Sequence, residues 1–240
     1  MLDQYQIKLR GFLLTLTDVA MVAADTTRTK CYLDKLIINN LLPRYVILLL
    51  NNDVEMLPGQ KNTKVGSELV KLLDHMKIKY DIAPNSNINS SEVISLISSR
   101  DEKVFIFSGF GGSILRKNIL NIGKKFLHVH GGYLPDYKGS TTNYYSLIDE
   151  NTIGASSIFL TEEIDGGPVL IRKKFLAPED PTEIDHIHDS EVRAEVLIET
   201  LNNYVRKGRW SFELENNKGG ETFYIIHPVL KHLAILGESQ

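Results

Sequence analysis

Short apolar runs and stretches of helical spacing alternate along the first half of the chain. "VAMVAAD" (Val19 to Asp25) is an apolar run closed by polar residues and reads as a first strand. "TTRTKCYLDKLIINN" sets Cys31, Leu33, Leu36 and Ile37 at helical spacing, with Thr26 or Thr27 in position to cap. "RYVILLLNN" is a continuous apolar run of buried-strand length. "KVGSELVKLLDHM" (Lys64 to Met76) is amphipathic, and "KYDIAP" is a short strand ending at Pro84. "SSEVISLISSR" (Ser90 to Arg100) is a helix opened by a capping serine, and "KVFIFSGFGG" a strand running into glycines. This alternation predicts an α/β fold, a mostly parallel sheet with helices on both faces.

Beyond Gly139 the pattern is less regular. "TTNYYSLIDEN" predicts a helix, while "GASSIFLT" and "PVLIRKKFL" predict two strands joined through "EEIDGG" as an antiparallel hairpin. "DPTEIDHIHDSEVRAEVLIETLNNYVRKG" is helix-rich, with Pro181 near its start and Gly208 just past its end. Within it "DHIHDSE" has the residue types of a metal cluster, but it falls at a helix start and is read as structural. The tail, "GGETFYIIHPVLKHLAILGESQ", is apolar enough either to dock on the body or to form a homodimer interface. A single domain over residues 1–240 is predicted, with a core of about 19–208 and the tail 209–240 packed on it. No role is read for the first eighteen residues.

Composition narrows the function classes. The 240 residues are 42% hydrophobic and 24% charged, as in an ordinary globular protein. One cysteine, Cys31, forbids an internal disulfide and points to a reducing compartment, read as the cytoplasm. A net charge of -3 without a basic block carries no nucleic-acid footprint, and no apolar run is long enough for a membrane span.

Candidate chemistry gathers in "FLHVHGGYLPDYKGS", from Phe126 to Ser140. His128 and His130, two apart on a strand, project from one face. Gly131 and Gly132 admit a ligand or another backbone at close range. In open parallel sheets ligands lie beyond the carboxyl ends of the strands, which puts "SGFGG" and "HVHGG" at the edge of a site. Asp165, in a turn followed by Gly166 and Gly167, can supply the carboxylate that orients an imidazole and raises its basicity. For each of these a structural reading stands beside the catalytic one: a satisfied strand histidine, or a simple Asp-Gly hairpin turn. His128, His130 and Asp165 also compose a two-histidine, one-carboxylate set that could hold zinc or iron in a hydrolase or oxygenase.

The segments "SGFGGSILRKNILNIGKKFLHVHGGYLPDYKGS" and "GASSIFLTEEIDGGPVLIRKKF" resemble the folate-dependent formyltransferases, most closely their small-acceptor, sugar N-formyltransferase branch. The Leu134–Pro135 pair, Tyr137-Lys138-Gly139, Gly154 and Asp165-Gly166-Gly167 fall in that family's order and approximate spacing. The resemblance implies a Rossmann-like fold and formyl transfer from 10-formyltetrahydrofolate to a primary amine, with no metal. It maps the catalytic positions to His128, His130 and Asp165, with His128 standing where the family has asparagine. On the same footing Phe110, Gly111, Ile164, Gly166 and Gly167 border the folate. Tyr133, Tyr137, Lys138 and Asn143 are candidates for the acceptor pocket.

The mechanism expected from these residues has His130, oriented by Asp165, taking the proton of the attacking amine. His128 and backbone N–H groups hold the developing oxyanion. A nucleotide-linked amino sugar is the expected acceptor and glycinamide ribonucleotide the alternative. "MVAADTTRTK" lacks the glycines expected of a purine-pathway phosphate loop, and its Thr26, Thr27, Arg28 and Lys30 read as ordinary capping before a phosphate site. Formylation of initiator transfer RNA is not expected, because the chain lacks the length and charge of a basic C-terminal domain. A catalytically inactive relative that only binds ligand is the remaining class.

Overall fold

The computed structural model describes residues 14–50, 67–212 and 217–237. They form two compact units, Met1–Leu127 and His128–Gln240.

In the first unit, β1 (Leu14–Ala24), β2 (Leu41–Leu49), β3 (Lys79–Ile82), β4 (Val104–Ser108) and the start of β5 (Lys125–His130) lie in the order β3-β2-β1-β4-β5. Every pairing among them is parallel. Parallel neighbours cannot be joined by tight turns, so each connection is a crossover. The crossovers carry α1 (Thr27–Ile38), α2 (Ser67–His75), α3 (Ser91–Ser98) and α4 (Lys117–Leu120). β1 has a strand on each side, and its residues Val19–Ala24 have no exposed surface. α1 buries Tyr32, Leu33, Leu36 and Ile37, the stripe its spacing predicts. The part of the predicted second helix before residue 67 lies outside the described residues.

Two strands start earlier than the apolar runs read from the sequence. β1 starts at Leu14, where Thr15, Thr17 and Asp18 are exposed and Leu16 is buried. It pairs as Leu14–Leu16 with Leu41–Pro43, then shifts register before Ala20 meets Tyr45. β2 correspondingly runs through Pro43. β3 pairs with β2 only from Tyr45 onward, so on that side no ladder bond needs the missing proline N–H.

Thr26 is the cap of α1, its Oγ1 accepting from the Thr29 N–H at 3.2 Å. Thr26→Ala is expected to cost about 1 kcal/mol in a urea titration.

In the second unit the end of β5 neighbours β7 (Thr152–Phe159), and β7 pairs antiparallel with β8 (Val169–Leu176) as predicted. β8 ends the strand order and carries Arg172, Lys173 and Lys174, charges that discourage a further strand from adding. α5 (Thr142–Glu150), α6 (Asp189–Lys207) and α7 (Pro228–Leu236) complete the unit. The predicted long helix is broken at its start into a 3-10 turn, Pro181–Glu183, and a π turn, Ile184–His188. Asp185 in that π turn pairs with Lys231 at 2.5 Å. α6 ends at Gly208, as its position suggested. The tail joins the second unit: β9 (Glu221–Phe223) pairs with β6 (Tyr137–Gly139), and α7 packs on α5. Among the described residues no helix is long and apolar enough to cross a membrane.

Candidate active site

The site grows from the end of β5. Its alternation places His128, half-buried, and His130, 5% exposed, on one side of the strand. The glycines that follow sit tight against the protein's own atoms, Gly131 against two side-chain ends and Gly132 against backbone. A Cβ on Gly131 would strike the Arg193 guanidinium and the Asp189 carboxylate, and one on Gly132 would lie 2.6 Å from the Tyr137 carbonyl.

His130 Nε2 lies 2.7 Å from the Tyr137 carbonyl oxygen. A carbonyl can only accept, so Nε2 carries the hydrogen and the neutral ring keeps its lone pair on Nδ1. Nδ1 faces Asp165 Oδ2 at 3.5 Å. Two acceptors therefore confront each other across a gap that one proton would bridge. The same Oδ2 accepts the Gly139 N–H at 2.8 Å, which ties the carboxylate to the end of β6. Asp165 adopts a left-handed backbone, φ 51°, and is buried.

Burial pushes the His130 imidazole below its ordinary value of 6.5. Asp165 pulls the other way, and the Arg193 guanidinium adds to the lowering. The unfolded chain therefore binds a proton that the folded chain refuses. This contribution to stability is complete above pH 6.5 and is lost as the pH falls through the depressed folded value. Thermal unfolding between about pH 7.5 and 5.5 should show the decline, and His130→Gln should remove that part of it.

Behind the histidine stands a polar frame. Asn143 Nδ2 donates to Asp189 Oδ1 at 3.0 Å, and its Oδ1 accepts the Gly154 N–H at 2.9 Å. Arg193 Nη1 donates to the Val129 carbonyl at 2.9 Å, and its Nε lies 2.8 Å from Asp189 Oδ2. Thr142 Oγ1 donates to the Gly131 carbonyl.

The predicted site residues separate into groups. His130 and Asp165 are brought together, with His128 on the same strand. Gly166 and Gly167 fit a tight turn, where added Cβ atoms would meet the Glu163 side chain and the Phe159 carbonyl. Ile164, in the same turn, is 54% exposed. Tyr137, Lys138 and Asn143 are buried. The Tyr137 hydroxyl donates to Asp149 at 2.8 Å, and burial together with that carboxylate pushes the phenol well up. Lys138 Nζ donates to the Asn217 carbonyl at 3.1 Å. Tyr133 is half-buried, its ring under Arg172 and Lys174. Phe110 and Gly111 belong to the first unit, in the turn after β4, and nothing lies within 4 Å of a Cβ built on Gly111. In that unit Arg28 bonds Ser108 and the Gly109 carbonyl, and Lys30 pairs with Glu68 at 2.7 Å. Among the described residues no group of three or more His, Cys, Asp or Glu is placed to hold a metal.

Sequence reasoning missed Asn217, whose amide touches the Asp165 turn from a polar stretch of turn-forming residues. It also missed a cavity of about 320 Å³ lined by Arg172, Glu199, Tyr204, Lys207 and Trp210. The stacked rings of Tyr204 and Trp210 gave no periodic signal. None of the predicted site residues lines that cavity.

The sequence matches the formyl transferase family over residues 21–200. It is 26% identical over 162 residues to a methionyl-tRNA formyltransferase of Finegoldia magna, covering 64% of this chain and 52% of that protein. The chain thus spans about half the length of this curated relative. A solved sugar N-formyltransferase from Shewanella sp. FDAARGOS_354 superposes at TM-score 0.58 and 14% identity, covering 91% of this chain and 86% of that one. An N-formyltransferase from Helicobacter canadensis, in complex with folinic acid and dTDP-3-aminofucose, superposes at TM-score 0.54 and 15% identity. The superposition covers 86% of this chain and 70% of the other. At such identities the likeness carries the fold, an α/β arrangement on a mostly parallel sheet.

Proposed function

The chain belongs to the formyl transferase family, and on that premise we propose that it transfers a formyl group from 10-formyltetrahydrofolate to the primary amine of a small acceptor. The acceptor is a nucleotide-linked amino sugar, and the reaction runs in the cytoplasm. The observation that carries the reading is the buried His130–Asp165 pair, with an Nδ1 lone pair facing a carboxylate oxygen at 3.5 Å.

The donor is a substrate that brings an activated formyl carbon. The amine nitrogen forms the new C–N bond as the donor's C–N bond breaks. The proton shed by the amine goes to His130 Nδ1, where Asp165 stabilises the imidazolium, and a proton returns to the leaving nitrogen. Nε2 stays bonded to the Tyr137 carbonyl throughout, so the ring is held while its other edge titrates. His128 donates toward the oxyanion. Of the turn that follows, Ile164 is exposed and remains available to border the donor, whereas Gly166 and Gly167 serve the turn itself.

The amino-sugar acceptor is supported by what the Helicobacter canadensis neighbour was solved with. The Finegoldia magna relative favours a second reading, an aminoacyl-tRNA acceptor. Incubation with 10-formyltetrahydrofolate and either dTDP-amino sugars or methionyl-tRNA, with the product identified by mass spectrometry, separates them. A formylated sugar is expected. Formylated methionyl-tRNA alone would reverse the acceptor, and no formylated product from either would sink the transfer reading.

A further inference from the structure

The Asp165 turn is held from outside by a residue far along the chain. Asn217 Nδ2 donates to the Asp165 carbonyl at 2.6 Å and to the Gly167 carbonyl at 2.7 Å. A primary amide has two N–H donors, so both are spent on this one turn. The Oδ1 of the same side chain is buried without a hydrogen-bond partner among the described residues. An amide kept at that cost is retained for its donors.

Asn217 is itself anchored to the loop that carries Gly139. Lys138 Nζ donates to its backbone carbonyl at 3.1 Å. A few residues on, β9 pairs with β6, with Tyr137 opposite Glu221 and Gly139 opposite Phe223. The Phe223 ring stacks on Tyr137 at 5.6 Å and packs on Tyr145 at 4.5 Å. The Ser140 N–H donates to the Phe223 carbonyl at 2.9 Å, and the Ile226 N–H to Thr141 Oγ1 at 2.8 Å. Residues 217–226 thus form a strap across two loops. One loop supplies the N–H that grips the Asp165 carboxylate, the other supplies Asp165.

Aspartate tolerates a left-handed conformation better than most residues with a Cβ, and the bonds to the Asp165 and Gly167 carbonyls fix which way this turn presents its carboxylate. If the turn relaxed, Oδ2 would leave both Gly139 and Nδ1. We infer that Asn217 is a positioning residue for the His130–Asp165 pair, acting through the carbonyls of Asp165 and Gly167, with Lys138 as its tether. The inference rests on the formyl-transfer reading for its kinetic consequence only; the placement of Asp165 against His130 is testable without turnover.

The test uses the full chain and two readouts: the ring NMR signals of His130 across a pH titration, and steady-state formyl transfer. Asn217→Ala should stay folded by circular dichroism and displace the His130 signals in the same sense as Asp165→Asn. Its kcat should fall about tenfold with KM for the donor unchanged. Asn217→Gln, which keeps both donors on a longer arm, should restore part of each. Should Asn217→Ala not fold, Asn217→Ser, with one donor, takes its place under the same criteria. His130 signals that superimpose on the wild type in a folded variant overturn the inference, as does a change in KM alone. A wild-type protein inactive with every amine would overturn the transfer reading and leave the NMR arm in force.

Discussion

Asp165→Asn is expected to lower kcat for formyl transfer by about 10²- to 10⁴-fold while leaving the protein folded. One oxygen, Oδ2, accepts the Gly139 N–H at 2.8 Å and faces His130 Nδ1 at 3.5 Å. In the asparagine variant the amide oxygen can take that place and keep the Gly139 bond, but it has no charge to stabilise an imidazolium. Turned the other way, the amide donates to Nδ1 and occupies the lone pair that must accept the proton. The first orientation removes the charge that stabilises the protonated ring, the second occupies the proton acceptor, and both keep most of the packing. Steady-state kinetics with a thermal melt as control checks this. A folded variant with wild-type kcat would exclude Asp165 from the proton's path.

Gly139→Ala should cost about 3–5 kcal/mol, read from urea unfolding. Gly139 has φ 97°, which disfavours any side chain, and an added Cβ would collide with the Phe223 carbonyl. Relief requires β6 and β9 to part, which breaks the Ser140–Phe223 bond and pulls the Gly139 N–H from Asp165. Gly123→Ala is the contrast. Its φ is 78° but nothing lies within 4 Å of the new Cβ, so only the backbone term of about 1–2 kcal/mol should appear. Equal losses in the two variants would mean that the Phe223 contact contributes nothing.

The parallel sheet was legible because its inner strands β1, β2 and β4 are buried on both faces and read as unbroken apolar runs, as in Tyr45–Leu49. The first residues of β1 were not, because exposed Thr15, Thr17 and Asp18 separate Leu14 and Leu16 from the continuous apolar run that starts at Val19. The His130–Asp165 pairing was legible from a strand ending in glycines and a later Asp-Gly-Gly turn. The fate of Tyr137, Lys138 and Asn143 was not, since a tyrosine, a lysine and an asparagine beside a candidate site suggest ligand contacts. Each is buried and bonded to the chain's own groups, Asp149, Asn217 and Asp189. Those partners lie 12, 79 and 46 residues away, separations at which no local spacing rule operates.

The most direct measurement is a calorimetric titration of the metal-stripped protein with a stable analogue of 10-formyltetrahydrofolate, with bound metal quantified beforehand. Saturable binding near one analogue per chain to the metal-free protein is the result expected of a formyl donor site. No binding, together with stoichiometric metal in the untreated protein, would contradict it and turn the chemistry of His128, His130 and Asp165 toward metal ligation.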